Sequence, residues 1–221
     1  IDDLGGLDLN ITQGEMNQIN KYKKDVDGVT GKNTPNVTQY GLVHLDGTQA
    51  TTYARIRKLS GDDFKRASRQ RIVLQAMLEK AKKANPATLV KICNSVVDDI
   101  STTLSLDQMV SLAKDVTKYK INSTTGFPTD LTTKNMPRCG DTVIPADLVT
   151  NVKKLHEYMF DDATYTPSQT VQAISDTIVN TTGITADSAK INTSDYNETV
   201  GATGTDEIQK GSETTGGTNV Q

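Results

Sequence analysis

Tryptophan is absent from the 221 residues, phenylalanine occurs three times, and cysteine and histidine twice each. With His44 and His156 the sole imidazoles, and Cys93 and Cys139 in no ligand spacing, a zinc site is improbable. The two cysteines are compatible with one disulfide in an oxidising compartment, a question that spacing alone leaves open. No run of eighteen apolar residues occurs, so no segment reads as a membrane-spanning helix. The opening "IDDLGGLDLN" has neither the basic nor the apolar region of a signal peptide, and a start without methionine reads as a trimmed or mature fragment. A formal charge of −3 with few aromatics counts against a nucleic-acid reader, which needs a basic face and stacking groups.

What the chain does have is arginine in one place. Five of six fall in Tyr53–Arg71, "YARIRKLSGDDFKRASRQR". Between Tyr53 and Lys83, ten basic residues face three acidic ones, a local +7 that leaves −10 for the rest. Such asymmetry points to a local anionic ligand.

The remaining pattern predicts an α/β chain with one substantial domain over 1–184 and a Thr/Gly/Ser-rich flexible tail over 185–221. Leu7, Leu9 and Ile11 alternate as in a strand. Thr12 with Glu15 three residues on reads as the cap of a helix over "TQGEMNQINKYKKDV", followed by a loop at 27–36. Asp46 starts a helical turn, after which Tyr53, Arg55 and Arg57 share one face of an extended segment. The best helix is "DDFKRASRQRIVLQAMLEKAKKAN". On it Arg66, Arg69 and Gln70 fall in one arc, Val73 and Met77 continue that line, and Phe64, Ala67, Leu74, Leu78 and Ala81 form a stripe expected to pack on a sheet. Further helices are expected after Pro86, after Ser105, from near Pro145 and from Thr166 to Gly183.

Strand arginines and helix arginines converging near a helix N-terminus would make a cup of planar forks suited to phosphate or pyrophosphate. The bland alternative is a solvated basic face paired to Asp62 and Asp63. Asp63 is a weak candidate base, because neighbouring guanidinium groups lower a carboxyl pKa. His44 and His156 read as packing or surface residues. Asp2, Asp3 and Asp8 read as solvent-facing strand residues, and Gly5 and Gly6 as a turn or bulge.

"LDGTQATTYARIRK" followed by "GDDFKRASRQR" resembles the arginine-rich signature of the LytR-CpsA-Psr family. "IDDLGGLDLNIT" and "PADLVTNVKKLHEYMF" are similar to flanking segments, so the likeness runs from Ile1 to about Gly183. The resemblance implies a three-layer α-β-α sandwich with a mixed central sheet, here without the family's N-terminal portion. It implies Mg2+-dependent phosphotransfer of a glycopolymer from a polyprenyl-pyrophosphate carrier to peptidoglycan, outside a bacterial cell and held to its membrane by an anchor. On that likeness Arg55, Arg57, Arg66, Arg69 and Gln70 match pyrophosphate-binding positions, Asp63 and Arg66 are the catalytic candidates, and Val73 and Met77 are candidates for a lipid channel. The metal ligands are expected in the missing portion, so no residue here is assigned to metal. Two other readings are a non-catalytic binder of lipid-linked pyrophosphates or wall glycans, and, less favoured, a nucleic-acid-binding regulator.

Overall fold

The computed structural model describes residues 1–57 and 62–196, except the side chains of residues 62, 63 and 196. The described residues divide into two compact units, Ile1–Tyr119 and the stretch from Lys120 onward.

In the first unit, strand β1 (Leu7–Ile11) buries Leu7, Leu9 and Ile11 while Asp8 faces outward, the alternation that the sequence predicts. It pairs antiparallel with β2 (Gly41–Leu45), Leu7 opposite Leu45 and Ile11 opposite Gly41. A two-stranded ribbon is marginal alone. Its stability comes from the helices on its apolar face, where Ile19, Ala50, Tyr53, Ile72, Val73 and Ala76 join Val43 and Leu45 in one core. Each large apolar side chain buried there contributes about 1.5–3 kcal/mol. Before β1 the chain turns through Asp2–Leu4, and Gly6 has φ 79°; a Cβ there would lie 2.7 Å from the Leu45 carbonyl oxygen, so only glycine fits. The aspartates at 2 and 3 therefore sit in a 3-10 turn rather than a strand.

Helix α1 (Gln13–Thr30) opens with the predicted Thr12/Glu15 capping box. It runs beyond the predicted end: residues 27–30, expected to be loop, form its last turn, closed by Gly31 at φ 70°. Asp27 explains this, since its carboxylate accepts from the Thr34 N–H and hydroxyl at 3.1 and 2.6 Å and ties the returning chain to the helix end.

Helix α2 (Gly47–Arg55) is the main correction. Tyr53 and Arg55 belong to a helix, not to an extended segment. The β-branched and aromatic residues of "TTYARI" mimic a strand, but the cap at Asp46 commits the chain to helix, and Ala50 and Tyr53, three apart, bury together. The predicted long helix is α3 (Asp62–Lys83), but it buries Ser68, Arg69, Ile72, Val73 and Ala76. The expected stripe lies on the other side of the helix, where Leu74 is 60% exposed. Helices α4 (Pro86–Val96) and α5 (Leu106–Lys114) start as predicted, on Asn85 with Pro86 and on a Ser105/Gln108 capping box.

The second unit is built on β3 (Asp130–Met136), β4 (Gly140–Pro145) and the short β5 (Ile191–Asn192), all antiparallel in the order β4-β3-β5. Helices α6 (Leu148–Phe160) and α7 (Gln169–Thr182) complete it, α6 beginning at an Asp147 cap and α7 ending before Gly183. Asn151, fully buried, exchanges hydrogen bonds with the Asp130 N–H and carbonyl, each at 2.9 Å, and reaches the carbonyls of Ala146 and Asp147. Within residues 185–196, placed by sequence in the flexible tail, a 3-10 turn precedes β5, and residues 197–221 lie outside the described residues. The α/β class stands, while the described strands pair in two antiparallel sheets rather than one mixed sheet.

Candidate functional site

The segment that leads into the arginines is built for rigidity. Leu45 is fully buried; Asp46 Oδ1 accepts the Gln49 N–H at 2.9 Å, and Gln49 Oε1 accepts the Asp46 N–H at 3.0 Å. Gln49 Nε2 also donates to the Pro35 carbonyl at 3.1 Å. Gly47 leaves room for Asp2, whose Oδ1 accepts the Gly47 N–H at 2.6 Å; a Cβ on residue 47 would stand 2.7 Å from that oxygen. This fixed start sets where α2 ends. There Arg55 stands in the last turn of the helix, where the helix dipole favours a cation. Ile56 is buried at 3% exposure with φ −56° and ψ 128°, so Arg55 and Arg57 flank it as exposed residues.

Both arginines line a cavity of 220 Å3. Its other walls are Tyr22, Asp25 and Val26 from α1, and Thr52 and Ile56. That volume lies below the range of roughly 300–1,000 Å3 typical of drug-sized ligands, so it suits a compact headgroup and not a whole lipid. Arginine planes match phosphate oxygens in pairs, while Asp25 opposes an anion on one side and restricts where it sits.

The other predicted cup residues are placed differently. Arg69 is 4% exposed; its Nε donates to Glu15 Oε1 at 2.6 Å and its Nη1 to the Ile56 carbonyl at 3.4 Å. It does not line the cavity. Arg66 is half-buried in the second turn of α3 and Gln70 is exposed; neither lines the cavity either. Of the five predicted cup residues, Arg55 and Arg57 line this cavity, while Arg69 pairs with an internal carboxylate. Asp63 is in the first turn of α3, and its side chain lies outside the described residues. Val73 is a core residue and Met77 packs against that core.

The acidic residues near the N-terminus are all engaged. Lys32 holds the Asp2 carboxyl below its usual value, helped by the Gly47 N–H. Lys91 does the same for Asp3, and His44 with Lys80 for Asp8. His44 is an exposed cross-strand partner of Asp8 at 2.7 Å, and His156 stacks on Tyr165 with ring centroids 3.3 Å apart. Cys93 and Cys139 are free thiols. Among the described residues no three His, Cys, Asp or Glu side chains converge on one point. Also among them, no helix is long and apolar enough to cross a membrane.

Sequence reasoning missed Tyr22, Asp25 and Thr52 as cavity residues and Glu15 as the partner of Arg69. Tyr22 stands seven residues after Glu15, one face of the same helix, which is the signal that was available. Glu15 was legible only as a cap, since nothing local announces a partner 54 residues away.

A family model, the LytR_cpsA_psr family, matches residues 1–155. Among solved structures, the crystal structure of B. subtilis TagV is 20% identical, with 76% of this chain and 60% of that chain covered and a TM-score of 0.48. The chain thus spans 60% of the length of that structure. No curated protein matches the sequence.

Proposed function

The chain belongs to the LytR-CpsA-Psr family, and from that premise we propose that it serves cell-wall glycopolymer transfer by gripping the pyrophosphate of a polyprenyl-linked donor between Arg55 and Arg57. The observation that carries this reading is the 220 Å3 cavity lined by both Arg55 and Arg57 together with Tyr22, Val26 and Ile56. The reaction class is phosphotransfer: an acceptor hydroxyl of peptidoglycan attacks the glycopolymer-bearing phosphorus, its proton passes to solvent, and the bond to the lipid phosphate oxygen breaks. Negative charge then grows on the departing lipid phosphate. Arg55 and Arg57 would neutralise it, which is where positioning and electrostatics lower such barriers most. Val26 and Ile56 offer the first isoprene unit an apolar surface.

The roles that the family likeness gives to Arg66, Gln70 and Asp63 belong to this proposal as additional contacts from the start of α3. A Mg2+ ion remains an expectation from the family alone, and no step here passes through one. Action at the outer face of a bacterial cytoplasmic membrane, on peptidoglycan and a lipid-linked polymer, completes the reading.

The test is calorimetric titration of the chain with farnesyl pyrophosphate. Removing one charge-assisted hydrogen bond typically loses about 1.5 kcal/mol or more, so Arg55→Ala and Arg57→Ala should each weaken binding by about tenfold. Lys114→Ala, on the exposed face of α5, should leave it unchanged. Equal losses in all three would show a diffuse basic surface and refute the proposal. Binding without transfer to peptidoglycan would mark the chain as a binder.

A further inference from the structure

Resting on that reading, we infer that Glu15 and Arg69 are positioning residues for the two cavity arginines, and that Arg69 acts through the Ile56 carbonyl rather than by touching pyrophosphate. Three observations meet in one ion pair. Arg69 is 5% and Glu15 7% exposed at the side chain, with Nε and Oε1 2.6 Å apart, so the cation is matched by a carboxylate inside the protein. The second fork nitrogen of Arg69 reaches the carbonyl of Ile56, the residue lying between Arg55 and Arg57. The second oxygen of Glu15 accepts the Thr12 N–H at 3.0 Å, fixing the start of α1, whose Tyr22, Asp25 and Val26 form the opposite wall of the cavity.

One pair therefore holds both walls. The contact to Glu15 is short, the one to the Ile56 carbonyl longer, and both are directional, as a planar guanidinium requires. If the pair loosened, the peptide between residues 56 and 57 would be free to rotate, and the two arginine side chains would lose their common direction. Productive geometry tolerates displacements of only about 0.5 Å before affinity or rate falls.

Direct and indirect action of Arg69 predict opposite signs for one substitution. Glu15→Gln removes the carboxylate charge while keeping an oxygen for the Thr12 N–H. Were Arg69 a ligand of pyrophosphate, freeing it from a competing anion would tighten binding. As a positioning residue it should instead lose its anchor, and farnesyl pyrophosphate should bind about three- to tenfold more weakly, with inorganic pyrophosphate following the same trend. The 15N shift of the Arg57 amide, which reports the hydrogen bond at the Ile56 carbonyl, should move in Glu15→Gln and in Arg69→Lys. A change in overall stability alone would not move it in a fully folded sample, and circular dichroism identifies such samples.

Unchanged or tighter binding in Glu15→Gln, or an unmoved Arg57 amide, overturns the inference. Loss of binding in Arg55→Ala with none in Glu15→Gln would leave the pyrophosphate reading standing and this inference refuted. No loss in Arg55→Ala would refute the reading itself.

Discussion

Replacing Arg69 by methionine removes the cation from a buried pair and strands the Glu15 carboxylate at 6% exposure. Breaking a buried pair from one side typically costs about 3–5 kcal/mol, because the remaining charge keeps its desolvation penalty without its partner. Here the lower half of that range applies, about 3–4 kcal/mol, since Glu15 keeps its bond to the Thr12 N–H at 3.0 Å. Glu15→Gln leaves Arg69 charged and should cost about 2–3 kcal/mol by the same argument. The double variant Glu15→Gln, Arg69→Met buries no uncompensated charge, so its loss should fall well below the sum of the two single losses, with a coupling energy of about 2 kcal/mol. Urea unfolding followed by circular dichroism gives these values, provided that the slope with denaturant stays constant across the four proteins. Additive losses, or an Arg69→Met cost under about 1 kcal/mol, would refute the assignment of a coupled interior pair.

In the second unit, Asn151→Ala abandons a buried N–H and three carbonyl groups; a loss of about 2–4 kcal/mol is expected in the transition of that unit, and a loss below about 0.5 kcal/mol would contradict the clip described for it. Acid sensitivity is expected at Asp2, whose carboxyl is held below the ordinary 3.8 by Lys32 and the Gly47 N–H. With the folded value depressed, the unfolded chain binds the proton first, so the stabilisation is complete above the ordinary value and is lost as pH falls through the lowered one. Asp2→Asn should flatten stability against pH below about 4, and an unchanged acid limb in thermal melts would contradict the pairing.

Much of the fold was legible because its signals are local. Thr12 with Glu15, Ser105 with Gln108, and Asn85 before Pro86 each announce a helix start within four residues, and all three caps form. The alternation of Leu7, Leu9 and Ile11 likewise needs only a strand and one buried face. Failures came where a distant partner decides. The strand pattern of Tyr53–Arg57 gave way to a cap at Asp46 that is reinforced by Pro35 and Asp2, residues far away in sequence. On α3 the apolar stripe pointed to Leu74, but Glu15 makes a buried place for Arg69 and turns Ser68, Ile72 and Val73 inward with it. At the candidate site, Arg55 and Arg57 line one cavity, but from a helix end and the residue two beyond it, not from an extended segment. One face of a strand cannot be told from a helix end and the residue two beyond it when only spacing is read. Arg69 looked equivalent to them because a charge pattern does not reveal which cation is already neutralised.

The central claim is that Arg55 and Arg57 hold a diphosphate in the cavity they share with Tyr22 and Val26. A crystal structure of the chain grown with farnesyl pyrophosphate tests it most directly. The account predicts diphosphate oxygens within about 3 Å of both guanidinium groups, with the first isoprene unit against Val26 and Ile56. A diphosphate held elsewhere, with these two arginines turned to solvent, would contradict it.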